Sequence, residues 1–85
     1  MQKKIILYTT KTCPYCLKAL RKLDEKGVFY EIVDVNENPA AFQAIMIKTG
    51  WDTVPQIFVD DRFIGGCDDL HALDRSGELD HILKG

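Results

Sequence analysis

Cys13-Pro14-Tyr15-Cys16 sets two thiols at C-x-x-C spacing, which suits a redox dithiol or half of a zinc site. An apolar, β-branched run, Ile5-Ile6-Leu7-Tyr8-Thr9-Thr10, precedes it. A helical pattern, Leu17-Lys18-Ala19-Leu20-Arg21-Lys22-Leu23, follows. The unpaired N–H groups of a helix N-terminus carry partial positive charge, and a thiol placed there is biased towards thiolate, the form that attacks disulfides. On this reading Cys13, at the helix mouth, attacks, and Cys16, one turn inside on the core face, resolves. A very low thiolate pKa would blunt nucleophilicity, so a value modestly below ambient pH serves exchange best. The zinc alternative rests on Cys67-Asp68-Asp69-Leu70-His71, a C-x3-H segment able to complete a Cys3His set. Against it, a structural zinc organises chains that lack a core, and this chain has strands and helices enough to build one. We therefore expect a dithiol and no metal site, with Cys67 a small, partly buried thiol and His71 and His81 helix-surface residues.

Two further segments carry chemistry. Thr53-Val54-Pro55 places a loop proline before a β-rich run. It is either an ordinary strand start or a cis peptide that turns Val54 outward to pair with an extended peptide as an added strand. Gly65-Gly66-Cys67-Asp68-Asp69 reads as a strand-to-helix turn capped by Asp68. Bare backbone at a helix start binds a carboxylate through its N–H groups, and the Asp68 carboxylate beside it suits an amino group. The amino-acid end of a peptide meets both needs.

The elements that must position these residues follow from periodicity. Lys4–Thr9 reads as a buried strand and Pro14–Lys26 as a helix with Cys16, Ala19, Leu20 and Leu23 on one face, stopped by Gly27. Val28–Val35 is a second strand. Asn38-Pro39 opens a second helix, with Phe42, Ile45 and Met46 on one face, and Gly50 closes it. Trp51–Val54 is a loop. Gln56–Val59 and Phe63–Ile64 are short strands around an Asp60-Asp61-Arg62 hairpin, and a last helical region runs to Leu83 with a break at Ser76-Gly77. The order is β-α-β-α-β-β-α, an α/β chain whose first two strands are parallel through a right-handed crossover and whose closing hairpin is antiparallel.

The totals narrow the field. Eighty-five residues, 46% hydrophobic and 28% charged, describe a single folded domain over 1–85. No apolar run approaches the ~20 residues that span a bilayer, and the charged start has too short an apolar run for a signal peptide, so a cytoplasmic protein is expected. Three cysteines cannot all pair within one chain, which excludes a disulfide-stapled scaffold. Residues 1–26 hold seven basic and two acidic side chains, whereas the remainder holds four basic and eleven acidic ones. The dithiol thus lies in the positive part of a chain of net charge −2, a setting that favours an anionic partner, Lys11 being the nearest cation; nucleic acid is not expected.

Together, Cys13-Pro14-Tyr15-Cys16, Thr53-Val54-Pro55-Gln56 and Gly65-Gly66-Cys67-Asp68-Asp69-Leu70 resemble the glutaredoxin family, in order and in a chain of matching size. The resemblance is to the short dithiol members. It implies a thioredoxin-like fold, a four-stranded mixed sheet with flanking helices, and glutathione as co-substrate with no tightly bound cofactor. It implies reduction of protein disulfides and glutathionylated proteins by a monomer, with Cys13 as nucleophile and Cys16 as resolving thiol. By the same resemblance Pro55 is cis, and Thr53 and Val54 flank the glutathione backbone. The γ-glutamyl end lies at Gly66, Cys67 and Asp68, the glycyl carboxylate near Lys11, and Tyr15 lines the groove. Trp51 departs from the pattern, standing where many relatives carry a basic residue. Phe42 likewise offers the glycyl end no polar group. A carrier role, a [2Fe–2S] cluster bridged between protomers through Cys13 and glutathione, is the rival the family permits; Pro14 and Tyr15 fit dithiol reductases better than the Cys-Gly-Phe-Ser carriers.

Overall fold

A computed structural model describes residues 3–84. Strand β1 (Ile5–Thr9) alternates buried and half-buried residues, so one face enters the core and the other meets a thinner layer. Helix α1 (Pro14–Glu25) buries Cys16, Ala19 and Leu23 along the stripe that its spacing predicts, and Gly27, at φ 67°, closes it by donating its N–H to Asp24 O at 3.0 Å. Strand β2 (Glu31–Asp34) then pairs parallel with β1, from Ile6 opposite Glu31 to Thr9 opposite Asp34. The expected strand over Val28–Val35 is shorter in fact. Among the described residues β2 is an edge strand whose only partner is β1, and its pairing begins at Ile6 opposite Glu31. Val28 instead turns into the core, while Tyr30 Oη donates to Asp24 Oδ1 at 2.7 Å.

Helix α2 (Pro39–Thr49) ends at Gly50 in the left-handed region, φ 75°. Strands β3 (Gln56–Val59) and β4 (Arg62–Gly65) form the antiparallel hairpin, and β3 also pairs antiparallel with β1, giving the order β2-β1-β3-β4. Helices α3 (Cys67–Ser76) and α4 (Glu78–Lys84) are separated at Gly77, where the break is expected. This is the thioredoxin-like architecture, with one mixed sheet and helices on both faces.

The core lies on the face shared by α1, α3 and α4. There Ile5, Leu7, Ile57 and Val59 meet Ala19, Leu23, Leu70, Leu79 and Leu83. Leu7, Leu23 and Leu70 are fully buried, and each contributes about 1.5–3 kcal/mol by leaving water. Ion pairs at the rim link α1 to α3 and α4: Asp74 takes Lys22 at 3.0 Å and Lys26 at 2.6 Å, and Lys26 also reaches Asp80 at 3.3 Å. The other face is aromatic. Tyr8 packs edge-on to Phe58, Phe58 on Phe63, and Phe63 edge-on to Trp51, with centroids 5.8, 5.2 and 5.0 Å apart. Helix α2 covers this face thinly, with no fully buried residue.

Candidate active site

Three chain crossings meet at one end of the sheet. The first is the β1–α1 junction. Cys13 is the N-cap of α1 and half-buried; Cys16 is buried. Pro14 holds the first helical position, where its missing N–H is no loss. One turn of helix thus separates a thiol that meets water from one that does not. Burial pushes the Cys16 thiol up to about 12; hydrogen bonding and charge repulsion from Cys13 add to this, and the Thr10 backbone opposes it.

The second crossing is the loop from α2 to β3, where the Val54–Pro55 peptide is cis. Val54 O lies 3.9 Å from Cys13 Sγ, a long thiol-to-carbonyl hydrogen bond that sets the loop against the dithiol. The loop is braced from beneath by Gln56, fully buried at the start of β3. Gln56 Nε2 donates to Trp51 O and Thr53 O, both at 3.0 Å, and Gln56 Oε1 receives a share of the Thr49 hydroxyl proton at 3.0 Å. Nothing in the local pattern assigned Gln56 a role. The available signal was a lone amide in an otherwise apolar strand, which must find buried partners.

The third crossing is the β4–α3 turn. Here Asp68 does not cap the helix, as the sequence suggests. Helix α3 begins two residues earlier than such a cap would place it, with Gly66 as its N-cap, and Asp69 Oδ2 accepts the Gly66 N–H at 3.1 Å, the reciprocal half of a capping box. Gly65, at φ 111°, lets the chain turn so tightly that a Cβ there would strike the Asp69 carboxylate. At Gly66 a Cβ would stand 3.2 Å from Pro55 O, so glycine allows the helix start to approach the cis-proline loop. Asp68 is thereby left uncommitted, exposed in the first turn of α3.

A cleft of 210 Å³ lies between these crossings. Tyr15 comes from α1, Trp51, Thr53, Val54 and Pro55 from the loop, and Gly66, Cys67, Asp68 and Asp69 from the α3 start. Seven of the expected binding residues therefore share one concavity. Lys11 is elsewhere: its ammonium pairs with Glu37 at 2.8 Å, and it is not among the cleft walls. Trp51 serves as both wall and packing residue. Cys67 is buried, as expected, and burial first, then the Asp68 charge, push its thiol up. His71 is not a plain surface residue. It is half-buried, and its Nδ1–H donates to the Cys67 carbonyl at 3.2 Å, 3.7 Å from Cys67 Sγ. Among the described residues no group of three or more His, Cys, Asp or Glu is placed to hold a metal ion.

A dithiol at a helix N-terminus, set against a cis-proline loop on this sheet, defines a thiol–disulfide oxidoreductase. The family model for glutaredoxin matches residues 5–64, and glutaredoxin 3 of Escherichia coli K12 is 47% identical over 78 residues, 92% of this chain and 94% of that protein. The chain belongs to the glutaredoxin family and is an enzyme of that type, using glutathione and the Cys13–Cys16 dithiol. Similar solved structures include a buckwheat glutaredoxin–glutathione complex, with TM-score 0.87 and 28% identity over 93% of this chain and 74% of that one. The dithiolic glutaredoxin of Trypanosoma brucei brucei superposes with TM-score 0.86 and 34% identity, over 94% and 86% of the two chains.

Proposed function

We propose that the cleft holds the glutathionyl half of a mixed disulfide and presents its sulfur to Cys13. The observation that carries this reading is the convergence of Thr53, Val54, Gly66 and Asp68 on one concavity beside the dithiol. Val54 pairs main chain to main chain with the extended tripeptide. The N–H groups at the start of α3 take the γ-glutamyl carboxylate, and Asp68 takes its ammonium. Tyr15 and Pro55 supply apolar walls. The glycyl carboxylate reaches Lys11 by displacing Glu37, an exchange between exposed carboxylates that costs little.

Cys13 thiolate attacks the glutathione sulfur, the substrate thiol leaves, and a Cys13–glutathione disulfide remains. A second glutathione thiolate attacks that adduct, releasing oxidised glutathione and restoring Cys13. With a protein disulfide, Cys13 instead forms a mixed disulfide with the protein. Cys16 then attacks Cys13 Sγ, freeing the substrate thiol and closing a Cys13–Cys16 disulfide that two glutathiones reopen. Cys16 must lose its proton to do this, and burial makes that costly. Glutathione therefore competes with it as resolving thiol wherever the adduct is accessible.

The protein acts as a monomer in the cytoplasm on disulfide-bonded and glutathionylated proteins, with no tightly bound cofactor. The test is glutathione-coupled reduction of a small glutathione mixed disulfide. Cys13→Ser abolishes turnover and Cys16→Ser retains it. Activity in Cys13→Ser would refute the assignment of the nucleophile.

A further inference from the structure

A second groove, of 360 Å³, continues the cleft between α1 and α3. It shares Tyr15, Cys67 and Asp68 with the cleft and is completed by Lys18, His71 and Arg75. The exchange chemistry with glutathione does not use these last three. Two of the three are cations. Lys4, Lys11, Lys22 and Lys26 are all in ion pairs. Among the described residues Lys18 and Arg75, like Arg21, Lys48 and Arg62, enter none, but Lys18 and Arg75 share this one groove, and Lys18 Nζ sits 5.4 Å from the centroid of the Tyr15 ring. Among the described residues the one carboxylate on the groove is Asp68, which the glutathione reading commits to the ammonium. A chain of net charge −2 thus keeps two uncompensated cations, with a histidine, in a channel leading from its dithiol.

We infer that this groove is the docking site for an acidic segment flanking the reactive cysteine of a polypeptide disulfide substrate. The inference rests on Cys13 being the attacking thiol. When Cys13 attacks one sulfur of the substrate disulfide, the other sulfur leaves as thiolate, and the polypeptide becomes tethered to Cys13. The tethered chain must leave the cleft along some wall. The wall through Tyr15 and Asp68 leads into the groove, where Lys18 and Arg75 meet carboxylates. Two cations in a short channel of an acidic chain fit a peptide better than a nucleic-acid backbone, whose affinity needs many such contacts.

The experiment uses three synthetic peptides, each closed by one intramolecular disulfide and differing only in flanking residues: two glutamates, two serines or two lysines on each side. Reduction is followed at about 50 mM and about 500 mM salt, where screening lengths differ severalfold. The wild-type enzyme reduces the glutamate peptide with the highest kcat/KM at low salt, and high salt narrows the gap. Each cation removed lowers kcat/KM for the glutamate peptide by about two- to fivefold. Lys18→Ala combined with Arg75→Ala brings it to the serine rate, and Arg75→Glu favours the lysine peptide. Arg75→Ala leaves reduction of a small glutathione mixed disulfide unchanged. Equal wild-type rates on the glutamate and lysine peptides, or a preference that survives the double variant, would overturn the groove. So would loss of the small-substrate reaction in Arg75→Ala. Failure of the wild-type enzyme on the small mixed disulfide would strike the glutathione site instead, so the two readings fail separately.

Discussion

Replacing Gln56 by methionine tests whether the cleft is held open from below. Methionine nearly matches glutamine in shape, so Gln56→Met creates little cavity and isolates the polar contribution. The native amide makes two full hydrogen bonds, to Trp51 O and Thr53 O, and receives a third shared between Gln56 Oε1 and Ile45 O. At about 1 kcal/mol net for each full bond, with the shared one counted at half, the loss comes to about 2.5 kcal/mol. For a domain of this size that lowers Tm by about 10–20 °C. In urea the midpoint falls while the slope stays constant, since the unfolded surface is unchanged. The two carbonyls left without partners belong to the loop that carries Thr53 and Val54, so KM for a glutathione mixed disulfide rises as well. Gln56→Glu is worse than methionine at neutral pH, because a buried carboxylate would face the same two carbonyls with nothing to donate. A Gln56→Met variant melting within about 2 °C of wild type, with unchanged KM, would show that the loop holds its own shape and that the brace is incidental.

Other expectations follow from the same geometry. Iodoacetamide at neutral pH modifies Cys13 alone in the native enzyme, since Cys16 and Cys67 are buried with thiols pushed up; peptide mapping that found all three modified at equal rates would contradict this. Gly66→Ala forces Pro55 O and the α3 start apart from the 3.2 Å approach a Cβ would make, raising KM several-fold with a smaller change in Tm. Asp74→Asn destabilises the fold at pH 7 by removing the carboxylate that holds Lys26 and Lys22. These lysines keep the Asp74 carboxyl below its ordinary value, so its contribution is complete above the unfolded pKa of about 3.9 and lost as pH falls through the lower folded value. The Tm difference between wild type and variant therefore closes in acid, and a difference that persisted there would refute the ion-pair account.

The helix faces were legible because burial follows period: Cys16, Ala19 and Leu23 lie inward in α1 as their spacing requires. The same holds for the stops at Gly27, Gly50 and Gly77, all with positive φ. What escaped was set by partners distant in sequence. The length of β2 depends on how far its pairing with β1 extends, which the Val28–Val35 pattern does not contain. The helix cap is another case: residue preferences favour Asp68, yet the tight turn at Gly65 starts α3 early and hands the capping role to Asp69. Lys11 has a local charge that invites a ligand, but Glu37 reaches it from 26 residues away. Trp51 looked unexplained beside the Thr-Val-Pro segment until β4 supplied Phe63 for its ring.

Three thiols around one cleft require that the fold distinguish them, and it does so by access to water. Cys13 caps the helix and keeps one side exposed, whereas Cys16, a single turn on, falls on the stripe that α1 must bury to pack at all. The stripe that stabilises the helix thus also holds the second thiol up, in its protonated form. Cys67 is silenced in the same way: its side chain enters the core beside Leu70, while its backbone helps form the α3 start. A larger residue at 67 would crowd the core, and an exposed thiol there would open a second point of attack inside the cleft. A small, buried cysteine avoids both, and leaves the sulfur of Cys13 as the one an incoming disulfide meets.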